Sequence, residues 1–97
     1  YTIHLIGLNM ENSDVVQSAD SLYQQLIAAG LSTLFDDRTE TAGVKFNDAD
    51  LIGLPIRVIT SPRNVKNNVV EIKMRKSNEA TNVPTDEIIT SIKQLLR

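Results

Sequence analysis

The sequence contains no cysteine and only one histidine among its 97 residues. A disulfide framework and a thiolate metal site are therefore excluded, and so is a metal site that needs several histidines. No apolar run approaches the roughly 20 residues of a membrane-spanning helix. No signal peptide is visible, and the lack of cysteine suits a reducing compartment, so we expect a cytoplasmic protein.

The sequence motifs of several enzyme classes are also missing. The phosphate-binding pattern G-x-x-x-x-G-K-[ST], the dinucleotide pattern G-x-G-x-x-G and the nucleophile elbow G-x-S-x-G do not occur. A cysteine triad is impossible, and a single histidine limits the options for a serine triad. The adjacent carboxylates Asp36 and Asp37 leave one enzymatic alternative open, which is a small phosphoryl-accepting or metal-dependent enzyme.

The composition that remains is that of an ordinary globular domain. Hydrophobic residues make up 41% and charged residues 23% of the chain, which argues against disorder. The length fits a single domain over residues 1–97. The chain enters a strand-like run directly from Tyr1 without an initiator methionine, so we expect a fragment of a longer protein.

The net charge of −2 hides a gradient along the chain. Residues 1–30 contain three acidic residues and no Lys or Arg, whereas residues 57–76 contain six Lys or Arg and one Glu. An asymmetry of this kind can mark a surface for an anionic partner. A solvated strand and turn that happen to be basic would give the same pattern, so charge alone leaves both interpretations open.

Hydrophobic periodicity predicts a βαβ unit in the first half of the chain. A nearly continuous apolar run over residues 2–8 is typical of a buried strand. Apolar residues then recur at helical spacing over residues 14–29, and Gly30 is placed to end that helix. A second strand over residues 31–35 completes the unit, which requires a parallel pair and a right-handed crossover.

The second half predicts an antiparallel extension of the same sheet. A short helix over residues 44–52 would turn Phe46, Ala49 and Ile52 inward, with Val44 as a further candidate. The remaining predicted elements are a central strand over 55–60, a loop over 61–68, strands over 69–75 and 80–83 joined by a turn at 77–79, and a final helix from Pro84. The resulting order, β-α-β-α-β-β-β-α, predicts an α/β fold with a mixed five-stranded sheet and three helices packed on it.

The most polar stretch follows the second strand. It contains Asp36, Asp37, Arg38, Glu40, Lys45, Asp48 and Asp50. Loops after strands are where open α/β sheets place ligand contacts. Arginine and lysine can donate to guanine O6 and N7, and carboxylates can accept from base N–H groups, so the mixture suits exposed RNA bases. Phe46 could stack on a base or be buried in the core, and Arg38 could pair with Asp37 or Asp48 instead.

Two segments resemble a known family. FDDR-TET-AGVKF-NDADLIGLPIRVI resembles the core of the C-terminal anticodon-binding domain of prolyl-tRNA synthetases, and VEIKMRKSNEATNVPTDEII resembles the later strand, turn and closing helix of that domain. The opening strand and long helix fit as well, so the resemblance covers essentially the whole chain. Related domains occur in the synthetases for histidine, glycine and threonine. Thr41-Ala42 departs from the family, which often has a proline before the glycine.

The resemblance implies a non-catalytic module that recognises the anticodon loop of tRNA(Pro), whose two invariant bases are guanines. Aminoacylation with ATP and Mg²⁺ would belong to a class II catalytic domain of the parent enzyme, which is expected to be a homodimer. The module itself would hold no cofactor or metal and would bind neither DNA nor a membrane. The alternative that stays open is a structural or protein-interaction module of the same fold that does not bind RNA.

The resemblance also assigns RNA-binding positions. These are Asp37, Arg38, Glu40, Lys45, Phe46, Arg63 and Lys73. By this analogy, Arg38 and Lys45 would donate to guanine acceptors, and Glu40 would accept from guanine N1 and N2. Lys73 would meet the RNA backbone or a base, and Arg63 would meet a phosphate.

Overall fold

The computed structural model describes residues 1–77 and 79–96. Its elements are β1 (Ile3–Gly7), α1 (Ser13–Ala28), β2 (Thr33–Asp36), α2 (Ala42–Ile52), β3 (Ile56–Thr60), α3 (Pro62–Lys66), β4 (Val69–Met74), β5 (Ala80–Pro84), a 3-10 turn (Thr85–Glu87) and α4 (Ile88–Leu95). The strands form one sheet in the order β2-β1-β3-β4-β5. The predicted mixed five-stranded α/β sheet and the central position of β3 are therefore confirmed.

The first three strands are parallel and the last two are antiparallel to their neighbours. In β1, Ile3 lies beside Thr33 of β2 on one side and beside Ile56 of β3 on the other. β4 pairs antiparallel with β3, and β5 pairs antiparallel with β4. The carboxyl ends of β1, β2 and β3 consequently meet at one edge of the sheet, which is where the loops of an open α/β sheet gather.

Helix α1 covers the main hydrophobic core. Asn12 begins it, because its side-chain oxygen accepts from the amides of Asp14 at 2.9 Å and Val15 at 3.3 Å. One face of the sheet, α1 and α4 bury a single cluster, made of Ile3, Leu5, Leu22, Leu26, Ile56, Val58, Val70, Ile72, Ile88 and Ile92. The apolar stripe predicted for α1 is buried at Val15, Ala19, Leu22 and Leu26, whereas Ile27 is 45% exposed. In α4, Ile88 and Ile92 are buried, whereas Leu95 and Leu96, which were also expected to be buried, are 39% and 45% exposed.

The opposite face of the sheet has a much smaller core. Its buried cluster is Ile6, Ala49 and Ile59, with Leu8 and Phe46 packed at its edge. Side chains alternate between faces along a strand, so residues in register with this cluster share its face. Arg57 of β3 lies two residues from Ile59 and opposite Lys73 of β4, which places both cations on the side covered by α2.

The prediction for α2 was partly wrong. The helix begins at Ala42, and its buried residues are Lys45 and Ala49, whereas Val44 is 40% and Ile52 50% exposed. A lysine takes an inward position because oxygens at the ends of the strands can accept hydrogen bonds from its ammonium group. The spacing of apolar residues alone cannot predict that a lysine occupies a buried position of this helix.

Two further differences concern short elements. The predicted loop over residues 61–68 contains α3, so the described residues form four α-helices where three were expected. Ser61 caps α3 by accepting from the amide of Asn64 at 3.3 Å, and Pro62 occupies its first turn. The final helix begins with the 3-10 turn rather than as an α-helix from Pro84. The predicted turn at 77–79 includes Asn78, which lies outside the described residues.

Candidate nucleic-acid interface

Lys45 lies inside the protein. Its Nζ donates to the carbonyl oxygen of Gly7 at 2.6 Å and to that of Asp36 at 3.4 Å, and the side chain is fully buried. Burial lowers the pKa of Lys45, and the Asp36 carboxylate at 3.7 Å opposes that effect. The ammonium group therefore ties the ends of β1 and β2 to α2. The role predicted for Lys45 as a donor to guanine does not fit this geometry.

Arg38 is bound to two carboxylates of the protein. Its Nε and Nη2 each donate at 2.9 Å to one oxygen of Asp36, and Nη2 also donates to Asp48 at 2.8 Å. The hydrogen bonds from Arg38 hold the pKa of Asp36 below its ordinary value. The alternative of an ion pair between Arg38 and Asp48 is what the structure contains, so the guanidinium fixes the loop after β2.

A groove of about 380 Å³ opens between β2 and one side of α2. Its lining residues are His4, Leu34, Phe35, Asp36, Asp37, Arg38, Asp48, Leu51 and Ile52, and we call it the acidic groove. Three carboxylates and one guanidinium contribute its charge. That balance disfavours a nucleic-acid phosphate at this place.

A second depression lies between α2 and β4. Its lining residues are Asp50, Arg57, Lys73, Met74, Arg75 and Ser77, and we call it the basic cleft. Here three cations face one carboxylate. Arg57 donates through Nη2 to Asp50, whose pKa is lowered by that hydrogen bond. The Arg57 side chain is 10% exposed and Asp50 is 71% exposed, so a guanidinium lies at the floor of the cleft and a carboxylate at its rim.

Phe46 lies between the small core and the solvent. The ring is half-buried and packs against the cluster of Ile6, Ala49 and Ile59. Asp50 follows Phe46 by four residues on α2, a spacing that places the two side chains next to each other on the helix. Phe46 therefore contributes to the core and still offers part of its surface beside Asp50.

The structure separates the predicted RNA-binding residues. Asp37 and Arg38 lie at the acidic groove, and Lys73 lies in the basic cleft. Glu40 is exposed beside the loop that follows β1, and Arg63 is exposed on α3. No single surface therefore gathers the whole predicted set.

Sequence reasoning missed Asp50, Arg57 and Arg75 as members of one site. Strand alternation was the available signal for Arg57, since it places this cation on the opposite side from Ile56 and Val58 of the main core. The four-residue spacing from Phe46 was the signal for Asp50. Neither signal shows that α2 and β4 meet around these side chains.

The described residues contain neither a metal-binding cluster nor a membrane-spanning helix. Within residues 1–77 and 79–96, no group of three or more acidic or histidine side chains is arranged to hold a metal ion. Over the same residues, every helix is too short or too polar to cross a membrane. Asp36, one of the two carboxylates on which the metal-dependent alternative was based, is already bound by Arg38 and contacted by Lys45.

Comparison with known proteins gives the same family as the sequence resemblance. Residues 2–95 match the model of a family described as anticodon binding domain. Proline--tRNA ligases of Dehalococcoides mccartyi (strain CBDB1) and Bacillus pumilus (strain SAFR-032) are 47% and 49% identical over 92 and 94 residues. These alignments cover 95% and 97% of the chain but only 16% of each ligase.

A solved structure shares the fold. The prolyl-tRNA synthetase of Cryptosporidium parvum, in complex with L-proline and AMP, superposes with a TM-score of 0.87 at 23% identity. The superposition covers 98% of this chain and 20% of that protein. The resemblance drawn from the sequence is thus confirmed, and the chain belongs to the anticodon binding domain family.

Proposed function

We propose that this domain binds the anticodon loop of tRNA(Pro) and thereby serves the ligation of proline to that tRNA by a longer protein. The basic cleft is the observation that carries the proposal. The relatives that match over nearly the whole chain are proline--tRNA ligases, and their matched segment is 16% of their length. The chemistry of ligation, with ATP and Mg²⁺, is assigned to a catalytic domain of a homodimeric cytoplasmic enzyme.

The cleft has the donors and acceptor that a guanine edge needs. Guanine offers acceptors at O6 and N7 and donors at N1 and N2. Arg57 and Lys73 supply cationic donors from neighbouring strands, and the exposed Asp50 carboxylate can accept from N1 and N2. Two of the three cations lie in register on β3 and β4, so the sheet fixes their spacing. Base recognition needs such fixed geometry, whereas phosphate binding does not.

Other residues act at the border of the cleft. Phe46 lies one helical turn from Asp50 and stacks on an unstacked base of the loop. Arg63 on α3 is exposed and contacts a phosphate. Glu40 stays a prediction as an acceptor of base hydrogens, whereas Asp37 lies in the acidic groove, away from the cleft. Arg38 and Lys45 hold the β2–α2 loop and the start of α2, because their charged groups are bound within the protein.

The proposal is tested by the binding of this chain to two RNA stem-loops. One carries the tRNA(Pro) anticodon loop, and the other has its two guanines replaced by adenines. We expect tighter binding of the guanine loop at 50 mM and at 200 mM salt, since each good bidentate base contact discriminates by about 1–3 kcal/mol. Equal binding of both loops, lost at the higher salt, would mean that the cleft holds only phosphates.

A further inference from the structure

The acidic groove has apolar side chains at its border that the fold itself does not cover. Leu51 is 79% exposed and Ile52 is 50% exposed at the end of α2. Across the groove, Leu34 of β2 is half-buried. Single exposed aliphatic residues are ordinary, but neighbouring ones that border a groove are typical of an interaction site.

The floor of the groove contributes no positive charge. His4 is 2% exposed, and its Nδ1 has no hydrogen-bond partner within the described part of the chain. Burial lowers the pKa of His4, so the imidazole is neutral at pH 7. Arg38 is the one cation of the lining, and it is bound to Asp36 and Asp48.

The carboxylates at the rim determine which partner fits. Asp37 is exposed, and Asp48 keeps 36% of its side-chain surface in solvent. An RNA phosphate would be repelled here, whereas lysine or arginine side chains would be attracted. The apolar border requires an apolar group between those cations. The complementary surface is therefore an aliphatic or aromatic side chain with basic residues beside it.

We propose that the acidic groove docks such a surface of a longer chain, outside the anticodon binding domain. The matched segment is only 16% of the proline--tRNA ligases of D. mccartyi and B. pumilus, so in those proteins it is a small part of a much longer chain. Interfaces between domains of one chain combine a small apolar centre with a polar rim, as this groove does. The proposal uses family membership and does not depend on RNA recognition.

The arrangement gives several of the lining residues a part in docking. Leu51 and Ile52 cover the incoming apolar side chain, and Asp37 receives a cation at the rim. Arg38 holds Asp48 at 2.8 Å and so keeps the second rim carboxylate in position before docking. The basic cleft stays open when the acidic groove is occupied, because the two lie on opposite sides of α2.

The absence of cysteine makes the groove directly testable. Leu51→Cys introduces the first thiol of the chain at the border, and Asp37→Cys introduces it at the rim with Leu51 intact. Gln24→Cys, on the exposed side of α1, is the matched control. Each variant is prepared as the isolated chain and as a chimera in which this chain replaces the matched segment of the B. pumilus ligase. Alkylation by a maleimide is then followed peptide by peptide with mass spectrometry.

We expect the thiols at positions 51 and 37 to react about tenfold more slowly in the chimera than in the isolated chain. The control thiol should react at the same rate in both, and adding Asp48→Lys should restore the fast rate at position 51. Unchanged rates at both groove positions would overturn the proposal. Slower alkylation of the isolated chain at higher protein concentration would also overturn it, because a second copy of the chain would then cover the groove. Slower alkylation on addition of the stem-loop RNA would overturn it as well, because RNA would then be the ligand of the groove.

Discussion

The two depressions beside α2 have opposite charge although each is built around an Arg–Asp pair. In the acidic groove, Arg38 lies between Asp36 and Asp48, and its Nε and Nη2 donate to these two carboxylates. In the basic cleft, Arg57 pairs with Asp50 alone among the described residues, and two further cations stand beside it. The two arginines thus differ in how many carboxylates bind them, and the RNA-binding role proposed for Arg57 but not for Arg38 follows from that difference.

The largest expected effect concerns the two lysines that the sequence assigned to RNA. Lys45→Met should lower the free energy of unfolding by about 3 kcal/mol, because it leaves two buried carbonyls without their donor and removes one of the two cations beside Asp36. Lys73→Met on β4 should change stability by less than about 1 kcal/mol. Urea denaturation of both variants measures this difference. Equal losses would mean that Lys45 has no special structural role.

The same comparison predicts a binding effect of intermediate size. Lys73→Ala should weaken binding of the tRNA(Pro) stem-loop about tenfold and reduce the salt dependence by about one counterion. Lys66→Ala, which removes an exposed lysine of α3 outside the cleft lining, is the control and should change affinity less than about twofold. Titration at several salt concentrations by fluorescence anisotropy checks both. An equal loss of affinity in the two variants would mean that the cleft contributes only general positive charge to RNA binding.

A smaller effect is expected from pH at the floor of the acidic groove. The folded state lowers the pKa of His4 below its unfolded value near 6.5, chiefly through burial. The unfolded chain therefore binds the proton more readily, and stability is lost as the pH falls below about 6.5, by at most about 1.4 kcal/mol per pH unit.

His4→Gln isolates this contribution, since His4 is the only histidine of the sequence. The variant should show little change in the free energy of unfolding between pH 7 and pH 5. The pKa of Asp36 is lowered mainly by Arg38, so protonation of this carboxylate should destabilise the fold only at pH values below about 4. A variant that keeps the full wild-type decline above pH 5 would contradict the assignment to His4.

The smallest expected effect is the change in stability caused by a substitution at the border of the acidic groove. Leu51→Ser removes an exposed leucine, so the isolated chain should keep its free energy of unfolding within about 0.5 kcal/mol. Chemical denaturation of the isolated variant measures it. A loss comparable to that of a core leucine would show that Leu51 packs within the domain and has no surface to offer a partner.

The sequence predicted the sheet because its patterns are local. Alternation along β4 and the helical stripe of α1 follow from neighbouring residues, and both are confirmed. The burial of Lys45 could not be predicted in this way, because its acceptor on Gly7 lies 38 positions away in the chain. The cleft around Asp50 and Arg57 likewise depends on how α2 lies across β3. The five-residue α3 is too short for periodicity to show.

The central claim is that the RNA-reading surface is the basic cleft, and Arg57→Ala set against Arg38→Ala tests it most directly. Both substitutions remove an arginine paired with aspartate beside α2, so each controls for the other. The measurement is the ratio of affinities for the guanine and adenine stem-loops. We predict that Arg57→Ala reduces this ratio to about one, whereas Arg38→Ala leaves it near the wild-type value. Loss of the preference in Arg38→Ala, with Arg57→Ala unchanged, would contradict the account.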